Sequence, residues 1–560
     1  MAQPNKPAGK SSGTKPRDKK PPVYSSSKKE PSTLFSSLDN WAAKNSKVLL
    51  IIILGLGALF SLLTFQARMD IGGDDSGYIL RAYYFIHKGI FPSYQGPLYP
   101  LVLSIFVSFL GINIVLLKFL SIIFNFIALV LLYKAFKGRI PSFILYSVLL
   151  LTAVNTYILN YASLTYNEAF YMVLQYAFFY YFFKLQDSIQ QNRGSALKAT
   201  WRKWLPVAVL IFLITITRNI GISCLGGVLM YFALRKQFRY LLYTGILSIA
   251  CALYMKTQGG GQGGLLLLKN PYNASEGKRH FSDFVSDFFQ NSDLYLSKRF
   301  YQILGFKSDI DMETSSWLTF FTVAFLLLGI YRVIRSKNQP LLIVALYTLS
   351  MMGATFIVLQ TRWDQPRLIL IYIPLILMLF LYGLYDLFKK SGWGIQMLSV
   401  LFVPIIFISE MSSTLKKTKE NLPILSKNLK GDIYAGFTPD WVNYLKLSQW
   451  CENLPKDSLV ACRKGPMSSV YANGREFVNI ATVDSVHSTN ADSVIALLKK
   501  THARYFLVAS LRSNPLVADG NVLNGIHRLI APVARKYPQK IKLIRQEGAS
   551  EQAQLFEVQY

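Results

Sequence analysis

Five charged residues stand where an apolar chain has little reason to keep charge. Asp74 and Asp75 lie in "GGDDSGYILRAYYF", Glu168 in "SLTYNEAF", Arg218 in "ITITRNIGIS" and Arg367 in "RWDQPRLILIYIP". A carboxylate can take a proton from a hydroxyl, and guanidinium groups can hold a phosphate through charge-assisted, bidentate hydrogen bonds. Setting such groups in hydrocarbon costs about 2.5 to 3.5 kcal/mol each on insertion scales, so they pair or line a polar cavity. Singly, each has a plainer explanation. The aspartates could be solvated loop residues, Glu168 a helix N-terminal acid favoured by the macrodipole, and the two arginines interfacial residues that snorkel. One shared cavity accounts for them together.

The elements that must position these residues are membrane helices. The chain has 560 residues, 52% of them hydrophobic and 14% aromatic, and it repeatedly runs through near-uncharged stretches of about 20 residues, the length that crosses a bilayer. The formal charge of +30 sits in the N-terminal tail, between apolar runs and in the C-terminal part. That placement fits anionic phospholipid and membrane orientation. No aromatic-interleaved basic domain is present, which excludes nucleic acid as a partner.

The fold class predicted is an α-helical polytopic membrane protein with a C-terminal extracytoplasmic α/β domain. Residues 1–46, rich in Lys, Ser and Pro, read as a disordered basic cytoplasmic tail. The run from Val48 to Phe65 then serves as an uncleaved anchor that leads out. Further runs at 112–135, 142–160, 168–184, 204–217, 219–234, 240–257, 316–334, 341–359, 368–387 and 394–411 give about eleven spans. Residues 98–110 are short and follow Gly-Pro, so they read as an interfacial or re-entrant helix. With this count the connections "KAFKGR", "KLQDSIQQNRGSALKATWRKW", "RKQFR", "RVIRSKNQ" and "FKKSG" all fall inside, as the positive-inside rule requires. The five charged residues then fall at the outer face. The membrane domain spans 47–411 with outer loops at 67–111 and 258–315, and residues 412–560 alternate β-branched and helical segments as a small α/β domain outside.

At the level of residues, "GGDDSGYILRAYYFIHKGIFPSYQGPLYPLVLSIF" resembles the first outer loop of the GT-C superfamily of membrane glycosyltransferases. The shared features are an acidic pair, an aromatic shortly after, an Ala-containing amphipathic helix, then Gly-Pro-Leu opening a second surface helix. "DQPRLILIYIPLILML" is similar to the late Arg-to-Pro span of that group, which includes protein O-mannosyltransferases, the aminoarabinose transferase of lipid A and oligosaccharyltransferases. Asp75 stands where many relatives have Glu. The resemblance implies inverting transfer of a sugar from a polyprenyl-phosphate carrier to a hydroxyl of a lipid, glycan or protein at the extracytoplasmic face. It implies Asp74 as base, with Asp75 beside it orienting the acceptor or a cation, and Glu168 positioning acceptor or metal. The donor's lipid phosphate falls to Arg218 and Arg367, with Lys278 and Arg279 in the second outer loop as further candidates. The partners implied are the lipid-linked sugar and membrane lipid, and the setting is a bacterial inner (plasma) membrane.

Other chemistry has less support. The five histidines are scattered and no paired spacing suggests zinc. No cofactor is certain, although three carboxylates could take a divalent cation, Mg or Mn. "GGGQGG" reads as a linker rather than a phosphate loop, and "NAS" at Asn273 is a formal glycosylation sequon. Cys224 and Cys251 lie in apolar runs, whereas Cys451 and Cys462 could form a disulfide in an oxidising compartment. A polymerase or ligase of lipid-linked glycans, a multi-span transporter or a non-catalytic scaffold would share much of this pattern.

Overall fold

A computed structural model describes residues 33–94, 96–191, 200–258, 280–306, 313–359, 363–479, 490–514, 516–517, 520–523 and 525–560. The apolar runs all fold as helices. Six described helices are long and apolar enough to cross a bilayer: Ser46–Leu63, Ile114–Phe136, Phe238–Thr257, Ser316–Ser336, Gln339–Val358 and the apolar stretch within Trp393–Leu429. A seventh is added if Ser142–Val154 and Thr156–Ala162, bent by 57° at their junction, count as one. The bend has a local cause. Asn155 leaves the helix with φ −65° and ψ 122°, and its side-chain oxygen accepts from the amides of Tyr157 and Ile158 to start the second segment. Leu98–Leu110, Asn219–Leu234 and Ile373–Phe388 are apolar but shorter.

The helix Glu168–Gln191 lies at the centre of the bundle. It packs against Ile114–Phe136 and Thr200–Thr217 and buries Tyr171, Tyr176, Phe178 and Phe179. Its first residue and its last turns sit at opposite ends of the bundle. Glu168 faces the acidic loop, and at the far end Asp187 pairs with Arg139.

The C-terminal sheet has the order β2-β1-β3-β7-β6. The strands are β1 (Leu459–Cys462), β2 (Phe477–Asn479), β3 (Ala503–Ala509), β4 (Leu511–Arg512), β5 (Val522–Leu523), β6 (Ile541–Glu547) and β7 (Ala553–Val558). β1 runs parallel to β2 and β3, while β7 is antiparallel to β3 and β6, with Tyr505 opposite Glu557 and Ala509 opposite Ala553. β4 and β5 form a separate two-stranded ladder. The helix Phe402–Leu429 runs straight through residue 411, where hydropathy falls, and carries the chain from the bundle to this sheet. Its polar half, "EMSSTLKKTKENLPILSKNL", keeps the helix-favouring Leu, Lys and Glu that let the element continue.

The disulfide that Cys451 and Cys462 could form in an oxidising compartment is not present. Both are free thiols and both are buried. The Cys462 thiol is engaged instead with Ser468, 3.7 Å from its hydroxyl, inside the packing between the helix Pro439–Trp450 and the following strand.

Candidate active site

The acidic segment owes its shape to Gly73, which adopts the left-handed conformation (φ 81°) and caps the helix Asp74–Lys88. Both aspartates therefore occupy the first helical turn, where the backbone dipole favours negative charge. They face different surroundings. Asp74 pairs with Arg367 Nη2. Asp75 is fully buried, accepting from the backbone N–H of Asp70 at 2.7 Å and of Ser76 at 2.6 Å. Burial, followed by the nearby Asp70 charge, pushes the Asp75 carboxyl up to about 7, against the opposing pull of Lys118 and the two N–H donors. Lys118 is itself buried, donating to the carbonyl of Gln66 at 3.1 Å and to that of Arg68.

Glu168, Arg218 and Arg367 converge on Asp74. Arg218 leaves the end of the helix Thr200–Thr217 in an extended conformation, and its Nη1 lies 3.3 Å from Glu168 Oε1. Arg367 Nη1 approaches the same oxygen at 3.9 Å. The Arg367 guanidinium also stands 4.8 Å from the ring centre of Tyr166 and donates through Nε to Gln365 at 2.7 Å. The Gly-Pro loop is pressed against the base of Arg218. A Cβ on Gly96, whose φ is 97°, would fall 2.3 Å from the carbonyl oxygen of Thr217. Only glycine permits that approach.

Two cavities meet at these groups. One, of about 640 Å³, is lined by Asp70, Gly72, Asp74, Tyr94, Asn160, Tyr161, Leu164, Tyr166, Trp363, Gln365 and Arg367. The other, of about 240 Å³, pairs Glu168, Arg218 and Arg367 with apolar Ile220, Val358, Leu359 and Leu368. Asp74, Trp363 and Arg367 border both. Asp75 borders neither. Lys278 and Arg279 lie outside the described residues, as do Asn273 and the Gly-rich stretch.

The carboxylates at the cavities do not fit a divalent cation as they are arranged. Among the described residues no three His, Cys, Asp or Glu side chains form a metal-binding group. Asp74 is met by one guanidinium, and Glu168 lies between two. Mg and Mn take several convergent oxygens, whereas here Asp74 and Glu168 face guanidinium groups and Asp70 accepts from Tyr166 and the Gly72 amide. Glu168 Oε2 is a buried acceptor with no hydrogen-bond partner among the described residues, but one oxygen beside two arginines is not such a cage.

Three participants were not singled out from sequence. Asp70 accepts from Tyr166 and from the amide of Gly72 at 3.0 Å, and it lines the larger cavity together with Tyr166 and Trp363. The available signal was proximity, since Asp70 precedes the acidic pair within "RMDIGGDD" and Tyr166 precedes Glu168 in "TYNE".

The C-terminal domain reaches this loop as well. Lys464 Nζ donates to the carbonyl of Ile71 at 2.9 Å, and the Tyr471 hydroxyl lies 3.4 Å from the amide of Met69 as its acceptor. Burial and the adjacent Arg463 hold the Lys464 ammonium below its ordinary range, which Asp70 partly offsets. Replacing Lys464 by Met is expected to loosen the loop, read as amide exchange of residues 69–72 at least about threefold faster; unchanged exchange in the folded variant would argue against a positioning role.

No family model matches the chain, and no curated protein matches it. Solved structures do. The oligosaccharyltransferase of Archaeoglobus fulgidus, crystallised tethered to an acceptor peptide containing an NVT sequon, superposes with a TM-score of 0.52 at 12% identity, covering 83% of this chain and 69% of its own. ArnT from Cupriavidus metallidurans, crystallised bound to undecaprenyl phosphate, superposes with a TM-score of 0.53 at 11% identity, covering 91% of this chain and 98% of its own. The chain thus shares the fold of these two proteins over most of its length.

Proposed function

We propose that the protein is a glycosyltransferase that moves a sugar from a polyprenyl-phosphate donor to a hydroxyl acceptor at the extracytoplasmic face of the membrane. The observation that carries this reading is the meeting of Asp74 with Arg367, and of Glu168 with both arginines, where a polar cavity joins an apolar one. The smaller cavity suits a lipid phosphate, with apolar walls for the first isoprene units and two guanidinium groups for the anion. The larger suits sugar and acceptor, because Tyr94, Tyr161, Tyr166 and Trp363 offer ring faces while Asp70, Asn160 and Gln365 offer hydrogen bonds. ArnT's bound undecaprenyl phosphate supports a lipid-linked donor by analogy.

In the reaction, Asp74 takes the proton of the acceptor hydroxyl as its oxygen attacks the anomeric carbon. The bond from that carbon to the phosphate oxygen breaks, and its electron pair leaves with the lipid phosphate. Arg218 and Arg367 stabilise the charge that grows there, in surroundings where water screens little. Arg367 can exchange Asp74 for the incoming phosphate, which frees the carboxylate to act as base. A single displacement inverts the anomeric centre. Glu168 keeps the two arginines apart and oriented, and Asp75 with Lys118 holds the loop from beneath instead of touching substrate.

Proteoliposomes of the purified protein, given a radiolabelled polyprenyl-phosphate sugar and a membrane extract as acceptor, test the proposal. Label should pass into a new product; label that enters the lumen without a new covalent product would identify a transporter. Orientation is tested separately with a single accessible cysteine placed after Lys427. It should react with an impermeant maleimide from outside the cell, and reaction only from the cytoplasm would reverse the assignment of faces.

A further inference from the structure

A π-helical turn, Leu294–Arg299, follows the helix Phe281–Asp293. Such turns widen the helix and re-aim its side chains, and they gather at functional sites. Here three side chains of the turn are directed at two consecutive residues, Trp363 and Asp364. The Tyr295 hydroxyl donates to the carbonyl of Trp363 at 3.3 Å. Lys298 Nζ donates to Asp364 Oδ2 at 2.9 Å, and Arg299 Nη2 donates to the Asp364 carbonyl at 2.8 Å, with Nε on Oδ1 of the same side chain. Gln302 fixes the remaining arm of Arg299 at 2.6 Å.

These are unusual residues to bury. Tyr295 is 0% exposed, Lys298 8% and Arg299 3%, and removing two cations from water is costly unless the partner geometry is fully specified. The three residues line neither cavity, so their hydrogen bonds go to the chain around Asp364. The turn itself is braced. Thr319 donates to Asp293 Oδ1 at 2.6 Å, and Thr322 donates to the Leu296 carbonyl at 3.1 Å. The stretch they hold carries Trp363, Gln365 and Arg367, all on the cavity wall. Burial alone would raise the Asp364 carboxyl, but the hydrogen bonds and charges of Arg299 and Lys298 outweigh it and keep the group ionised.

We infer that the π-helical turn is a clamp: by holding Trp363 and Asp364 it sets Arg367 against Asp74, which makes Tyr295, Lys298 and Arg299 positioning residues. Its effect on rate rests on the transferase reading, whereas its effect on the loop does not. The test therefore has two parts. Hydrogen exchange of the full-length protein in nanodiscs is compared between the wild type and the variants Lys298→Met and Asp364→Asn. Amides of residues 363–370 should exchange at least about tenfold faster, while those of the helix Ile114–Phe136 stay unchanged. Unchanged exchange at 363–370 in a folded variant overturns the clamp. If Asp364→Asn does not fold, Lys298→Met carries both parts.

The second part is a double-mutant cycle on transfer. Loosening the clamp should lower kcat roughly tenfold in the wild type but less than about twofold once Arg367 is replaced by Ala, because the clamp acts through that residue. Equal losses in both backgrounds overturn action through Arg367. A wild type that transfers no sugar, with exchange at 363–370 behaving as described, refutes the transferase reading and leaves the clamp standing.

Discussion

Asp74→Asn is expected to lower the proposed sugar transfer by roughly 10² to 10⁴, the contribution of a placed carboxylate base, in a protein that still folds. Asparagine preserves the shape of the side chain and can still accept from Arg367, so the pair that closes the site survives without its charge. What disappears is the capacity to take a proton. The neighbouring substitution makes a sharp contrast. Asp75→Asn replaces one of the two buried oxygens that accept from the Asp70 and Ser76 amides with a donor, and leaving a buried N–H unsatisfied costs about 1 to 3 kcal/mol. Its first symptom should be a lower unfolding temperature and yield. Transfer by Asp74→Asn at the wild-type rate would remove Asp74 as base, and the opposite ranking of the two variants would exchange the roles assigned to the pair.

How much of this was legible in the sequence depends on the range of the interaction. Apolar runs are local properties, so most helices of the bundle are placed by hydropathy; the helix Leu34–Lys44 is not, since it lies in the polar stretch expected to be a disordered tail and is held to the bundle by buried Phe35 and Ala42. The hairpin β6–β7 is less legible because "IKLIRQE" has its apolar residues interrupted by charge, and β7 owes its burial to pairing with β3, about fifty positions away. The same distinction runs through the site. Asp74, Glu168, Arg218 and Arg367 were readable because charge beside an apolar run is conspicuous, and the structure gathers all four.

Lys118 carries an equal signal, a single ammonium within "IVLLKFLS". The different burial of two adjacent aspartates could not be read, since it is set by Gly73 in its left-handed turn and by Asp70 folding back onto Asp75. The π-helical turn was equally hidden. Lys298 and Arg299 look like ordinary solvated charges until Asp364, more than sixty positions away, is brought between them.

Arg367→Ala should be the second severe lesion, lowering kcat roughly 10²- to 10³-fold, the loss typical of one preorganised donor at a developing anion. The guanidinium pairs with Asp74, approaches Glu168 at 3.9 Å and stands over the ring of Tyr166 at 4.8 Å. Removing it leaves Glu168 to Arg218 and takes from Asp74 its ion-pair partner, which makes the approach of a phosphate less favourable. If Arg367 acts mainly on the leaving phosphate, whose charge grows as the glycosidic bond opens, kcat should fall more than donor KM rises. Arg367→Lys separates charge from geometry. Lysine restores one positive charge but not the planar fork or the ring contact, so it should recover only part of the loss. Full recovery by Lys would reduce the role of Arg367 to a point charge. A variant with unchanged kcat and a raised donor KM would place it in ground-state binding, and the leaving group would then have to be stabilised by Arg218.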